Sequence, residues 1–249
     1  MRSYMQEFLE VGRVKEIWRY PVKSMAGESL PEAEIFWDGV IGDRRAAFVR
    51  ADNDSSFPWL TARQTPQLNQ YRPRYTDLAD VRHSDVLVQT PGGVERPLGS
   101  AELLAEMAEL YEGPVSLLRV RRGIYDALPL SVMSVATAQA LAEAVDIAPD
   151  VRRWRQNIII ETFDGRPFAE EEWLGQSLQL GAAQIRLNLR IPRCVMVNVD
   201  PETAVKNAAV LKLVANTRDN CVGVACATEV IGTVCVGDVV RMGAMSYQL

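Results

Sequence analysis
The chain has 249 residues, 48% hydrophobic and 24% charged, with 27 basic against 32 acidic side chains and a formal net charge of −5. That is an ordinary soluble globular composition, long enough for one large domain or two small ones. It excludes a disordered chain, a cysteine-dense disulfide scaffold and a general nucleic-acid binder with a basic surplus.

The opening MRSYMQEFLE has no basic stretch followed by an apolar one, and nowhere are there the ~18 consecutive apolar residues of a membrane span, so a cytoplasmic protein with no membrane or nucleic-acid partner is expected. From Val11 to about Val120 the pattern is mostly strands: VGRVKEIWRY, EAEIFWDG, RRAAFVR and DVLVQT are short, β-branched or aromatic, and bounded by turn residues. The PGG at Pro91 to Gly93 predicts a hairpin turn between DVLVQT and VERPLG. One helix interrupts, with Ser100 as its cap, AELLAEMAELY as its amphipathic body and Gly113-Pro114 as its stop. Residues 52–74, rich in Asp, Asn, Ser and Pro, read as a long functional or partly ordered loop.

The character changes around Gly123 to Leu130. SVMSVATAQALAEAVD reads as a helix capped by Ser131 or Ser134, and its free N-terminal N–H groups suit a phosphate. Strands return in NIIIET, SLQL, AQIRLNLRI, CVMVNVD, CVGVACATEV and DVVRM, with a short acidic helical piece, AEEEWLG, between the first two. β–α alternation is too sparse for a doubly wound sheet. The expectation is an α+β, mainly β chain of two β-barrel-like units, 11–125 and 126–245, with a few peripheral helices.

Chemistry-bearing residues are few. His83, the only histidine, sits in the polar TDLADVRHSD and reads as a solvated loop residue. Cys194, Cys221, Cys226 and Cys235 include no CxxC pair, so no zinc ribbon is expected, and the spacing of the last three does not match a plant-type iron–sulfur site. Cys221 and Cys226 read as core cysteines. Cys194, in IPRCVMVNVDPETA, is either a small buried hydrophobe or a thiolate favoured by the adjoining Arg193. In YPVKSMAG, Lys23 and Ser24 can corner an anion, although the glycines of a P-loop are missing, and GDRRAAFV sets Asp43, Arg44 and Arg45 at a strand entry. Only Lys15, Lys23, Lys206 and Lys212 are lysines. Arginines cluster in LLRVRRG and VRRWRQN, and a local basic patch on an acidic chain suits a small anionic ligand better than a polyanion; for Arg119 and Arg121 the solvent face of a strand is an equal reading.

Taken in order, these segments resemble a family. GRVKEIWRYPVKSMAGESLPEAEIFWDGVIGDRRAAFV and TARQTPQL are similar to the N-terminal β-barrel domain that precedes a MOSC domain; WRQNIII, EEWLGQSLQLG, IPRCVMVNVDPETA and GTVCVGDVV are similar to the MOSC domain itself. The resemblance extends to the mitochondrial amidoxime-reducing component and its bacterial relatives. It implies a molybdenum-pterin (molybdopterin) cofactor between the two units, with Cys194 as catalytic thiolate and metal ligand. It further implies Lys23, Ser24, Arg44, Arg155, Asn157 and Arg193 around the cofactor, Arg63 of the TARQ segment near its mouth, and Ser134 at a terminal phosphate; pyridoxal phosphate is not expected. The activity implied is oxidoreduction of N-hydroxylated or other N–O substrates, with electrons from a separate donor protein of ferredoxin, flavodoxin or reductase type. The alternative is a carrier that holds persulfide sulfur or cofactor on Cys194 without turnover. The sequence departs from the family at Pro192, which lacks an N–H two residues before the cysteine, and at Ala225, where an aromatic residue stands in the amidoxime-reducing relatives.

Overall fold
The computed structural model describes residues 8–243. The chain opens with β1 (Phe8–Arg19), β2 (Glu28–Leu30), β3 (Glu32–Phe36), β4 (Gly39–Val40) and β5 (Ala46–Arg50), then β6 (Arg72–Tyr75) and the hairpin β7 (Val86–Gln89) and β8 (Glu95–Pro97). Helix α1 (Ala101–Tyr111) and β9 (Val115–Arg119) follow, then β10 (Leu130–Ser134), α2 (Val135–Glu143), β11 (Ile158–Thr162) and α3 (Ala169–Glu172). The remainder is β12 (Ser177–Leu180), β13 (Ala183–Pro192), α4 (Ala208–Thr217), β14 (Cys221–Val230), β15 (Gly232–Cys235) and β16 (Val239–Gly243).

The mainly β class stands. Seven strands close a barrel in the order β11-β10-β14-β13-β12-β16-β1, with β1 pairing back onto β11 and β2 flanking β1. Closure removes the free edges that an open sheet of this size would expose. The interior is packed by inward residues from every strand, among them Val14, Ile17, Val132, Ile160, Leu180, Ile185, Val224 and Val240. Val14 and Ile17 both point inward although three apart, because a register shift between Val14 and Glu16 against β11 inserts the odd residue. The division expected near residue 125 is crossed by this strand: β1 belongs to the barrel formed by strands that follow residue 126.

The sheets β5-β9 and β6-β7-β8, with α1, enclose a second core built on Phe48, Leu68, Tyr71, Val88, Leu103 and Met107. Ser100 caps α1, its hydroxyl accepting from the Leu103 N–H. A third cluster, including Met133, Leu141, Trp154, Ile159, Val210 and Val214, seals α2 and α4 against the outside of the barrel.

Three expectations change. SVMS is the strand β10, and its helix begins only at Val135. CVMVNVD is not a strand: Val195–Asn198 form a 3-10 turn after Cys194. The helix α4 was not expected; Asn207 caps it through an N–H of Ala209, and Val210 and Val214, one turn apart, supply its buried face. No described helix is long and apolar enough to cross a membrane.

Candidate functional site
An open cleft lies between the barrel mouth and the second core. Its lining brings together Lys23, Ser24, Arg44, Arg63, Arg155, Asn157, Arg193 and Cys194, residues far apart in sequence. Six cationic side chains face it, Lys23 and the five arginines Arg44, Arg63, Arg153, Arg155 and Arg193, against one carboxylate in the lining, Asp126. On a chain of net charge −5 that is a concentrated positive field.

Local backbone explains the placement. β1 ends at Arg19, and Ser24 in the turn beyond it is left-handed at φ 68°; Arg44 (φ 50°) and Arg155 (φ 55°) are left-handed as well. Such conformations in non-glycine residues cost of order 1 kcal/mol each and persist where surrounding structure holds them. Here all three turn toward one cleft.

Both Arg44 and Arg155 stack on the ring of Tyr20, their guanidinium carbons 4.8 and 4.3 Å from its centroid. Burial raises the Tyr20 phenol to about 12, so the ring is neutral, and its face receives two cations. Arg44 is ion-paired with the buried Asp43, donates to the Arg155 carbonyl at 3.0 Å, and leaves Asp43 to accept the Tyr20 N–H at 2.7 Å. Arg155 has no such carboxylate: Nη1 donates to the Met25 carbonyl at 2.7 Å, Nη2 is buried without a partner, and burial pushes its pKa down to about 10. Lys23 donates to Asp126 at 2.7 Å and to the Ile124 carbonyl at 3.3 Å; burial holds its pKa below the usual lysine value despite that partner. Ser24 Oγ faces the Met196 sulfur at 3.9 Å.

Cys194 is partly exposed on the cleft wall, on extended backbone. The adjoining Arg193 is anchored by carbonyls, donating to Val222 at 2.8 and 2.6 Å and to Trp154 at 2.9 Å. Burial pushes Arg193 down to about 10, opposed first by attraction to Cys194 and then to Cys221. It is therefore a fixed positive charge beside the thiol rather than a free ligand hand. Asn157 reaches the lining but is engaged within the protein: it accepts from Ser131 Oγ at 3.0 Å and donates to the Trp18 carbonyl at 3.2 Å. Arg63 lies over the Phe57 ring at 5.0 Å. Pro192 and Ala225, the two departures, also line the cleft.

Ser134 is not there. Fully buried, it caps α2 by accepting the Thr137 N–H at 3.1 Å, and Thr137 Oγ1 donates to the buried Glu170 at 3.0 Å. The N-terminal end of α2, expected to meet a phosphate, is occupied by the chain's own carboxyl group, whose pKa burial raises. His83 is exposed beside Asp80, as a loop histidine should be. Cys226 is fully buried with its thiol pushed up, whereas Cys221 is only partly buried. Two residues of the site were missed, Gln156 in the lining and Tyr20 stacked against the lining residues Arg44 and Arg155. Tyr20 adjoins the Lys23-Ser24 corner, and Gln156 lies between Arg155 and Asn157, so position within those motifs was the available signal.

The fold and the cleft fit one protein class. A family model described as the MOSC domain matches residues 120–241, and one described as the MOSC N-terminal beta barrel domain matches residues 11–109. Between them they span most of the chain, which belongs to the MOSC family. It is 23% identical over 246 residues to mitochondrial amidoxime reducing component 2 of Bos taurus, covering 79% of this chain and 69% of the relative. It is 26% identical over 236 residues to mitochondrial amidoxime-reducing component 1 of Homo sapiens, covering 79% and 68%. The YUAD protein from Bacillus subtilis has the same fold, with a TM-score of 0.52 at 12% identity over 97% of this chain and 100% of that one.

Proposed function
We propose that this chain binds a molybdenum-pterin cofactor in the cleft and reduces N-hydroxylated or other N–O substrates, taking electrons from a separate donor protein. The observation that carries the reading is convergence: Cys194, Lys23, Ser24, Arg44 and Arg155, drawn from separate turns, line one cleft. Similarity to amidoxime-reducing components supplies the reaction class.

The residues fit such a group. A phosphate calls for charged donors, and the lining has six cations, one of them with a buried, unpartnered Nη2 at Arg155. A pterin ring calls for hydrogen-bonding groups, and Gln156 has both amide atoms unpartnered. A soft metal calls for a thiolate, and Cys194 offers a partly exposed sulfur with a fixed cation behind it.

When bound, the cofactor supplies a two-electron redox centre able to take oxygen from an N–O bond, with two protons consumed and water released. The chain's share is binding and orientation. Cys194 holds the metal, and Arg193, pinned by two carbonyls, keeps positive charge at that sulfur. Lys23, Arg44 and Arg155 neutralise the anionic end of the ligand. Arg63 and Phe57 shape the opening for substrate.

The test is molybdenum analysis with pterin fluorescence after acid oxidation, on wild type and Cys194→Ala made in a cofactor-competent host. Near-stoichiometric metal and pterin in wild type, with metal lost from the variant, is expected. Neither in wild type overturns the proposal, and a persulfide on Cys194 in metal-free protein selects the carrier instead.

A further inference from the structure
The carboxamide of Gln156 stands out in the cleft wall. It is 1% exposed, and neither Oε1 nor Nε2 has a hydrogen-bond partner; among the described residues no other side chain has two buried polar atoms left unpaired. Buried amides are almost always satisfied, because their desolvation is otherwise uncompensated. The neighbouring Asn157 shows the ordinary case, both ends of its amide being bonded within the protein.

The surroundings are shaped around this amide. The β13–β14 register shifts between Arg190 and Pro192, and opposite that shift Gly223 is left-handed at φ +72°. A Cβ at Gly223 would lie 2.7 Å from Gln156 Nε2, so the missing side chain provides the space the amide fills. The backbone of Gln156 is held as well, its carbonyl accepting from the Tyr20 hydroxyl at 3.4 Å.

An amide with both ends free requires a ligand that presents a donor and an acceptor together. A phosphate or a dithiolene offers acceptors only and would leave Oε1 unpaired. A pterin offers N–H and C=O side by side on its lactam edge. We infer that Gln156 is the reader of the pterin's amide-like edge; this rests on the cofactor reading above and names the part of the cofactor this chain recognises by hydrogen bonds.

The experiment compares wild type, Gln156→Met and Gln156→Leu, each made in a cofactor-competent host and in one unable to make pterin. Bound pterin is measured by fluorescence after acid oxidation, its release followed by dilution, and melting temperature recorded for the pterin-free samples. Because the apoprotein gives this amide no partner, both variants should melt at or above the wild-type temperature without pterin. They should release pterin about tenfold faster or more, since the ring's own polar edge is then left buried and unpaired. Wild type and variants retaining pterin equally overturn this inference and leave the cofactor reading intact. A pterin-free wild type from the competent host overturns the cofactor reading, and this inference with it. Variants that melt well below wild type when pterin-free overturn it too, by showing that Gln156 serves the fold.

Discussion
Tyr20 is the residue on which the cationic side of the cleft is built. Its ring carries two stacked guanidiniums, while its hydroxyl makes one long hydrogen bond of 3.4 Å. The face of the ring therefore matters more than the oxygen. Tyr20→Phe is expected to cost about 1 kcal/mol or less by denaturant unfolding. Tyr20→Leu, which strips both cation–π contacts, is expected to cost about 2–4 kcal/mol and to weaken retention of an anionic ligand. Arg155 is the uncompensated side of this arrangement: Asp43 compensates Arg44 and nothing equivalent serves Arg155, so burial has already lowered its pKa to about 10. An anion bound beside it reverses that cause. The sequence brought Lys23, Ser24, Arg44 and Cys194 to one site through their place in motifs that resemble the MOSC family's, their turn positions beside strands being weak signals taken singly. It could not find that Asn157 spends its amide internally while Gln156 does not, since that depends on Ser131, Trp18 and Gly223 arriving from other strands.

At the scale of elements, α2 shows how a good local signal can serve the fold rather than a ligand. Ser134 is the cap the sequence predicts, and the polar groups at that helix start are met by Thr137 and Glu170. Glu170 is buried, so its folded pKa lies above the unfolded value; the stability it contributes is fully present below the ordinary carboxylate pKa and is lost as pH rises through the folded value. Glu170→Gln keeps an acceptor for Thr137 without a charge to bury. It is expected to raise the melting temperature at pH 7, with the gain shrinking toward pH 4.5 in a pH series. Ser134→Ala, by contrast, is expected to cost about 1 kcal/mol as a lost cap, with pterin binding unaltered. The unexpected helix α4 had its signals in Asn207 and the Val210–Val214 spacing, but its short apolar stripe acquires meaning only against Trp154 and Ile159.

For the whole molecule, the decisive strand is β1. It pairs with β11, β16 and β2, so the barrel that carries Cys194 is closed by residues from the opposite end of the sequence. Removing residues 1–19 leaves β11 and β16 as open edges. A fragment covering 120–243 is expected to aggregate or to unfold without a cooperative transition by circular dichroism, and fusing residues 8–19 to it should restore one. A cooperative, soluble fragment without β1 would show that the barrel tolerates an open seam.

The sequence by itself determined the mainly β class, the turn-borne cations, the cysteine after Pro-Arg and the family, because these reside in local alternation, turn residues and ordered motifs. Tertiary structure alone decided that β1 closes the barrel, that Glu170 rather than a ligand meets the start of α2, and that Gln156 is left unpaired in the cleft wall. The physical reason is that strand pairing, burial and hydrogen-bond satisfaction are properties of which distant groups meet, and no spacing along one segment encodes its partners.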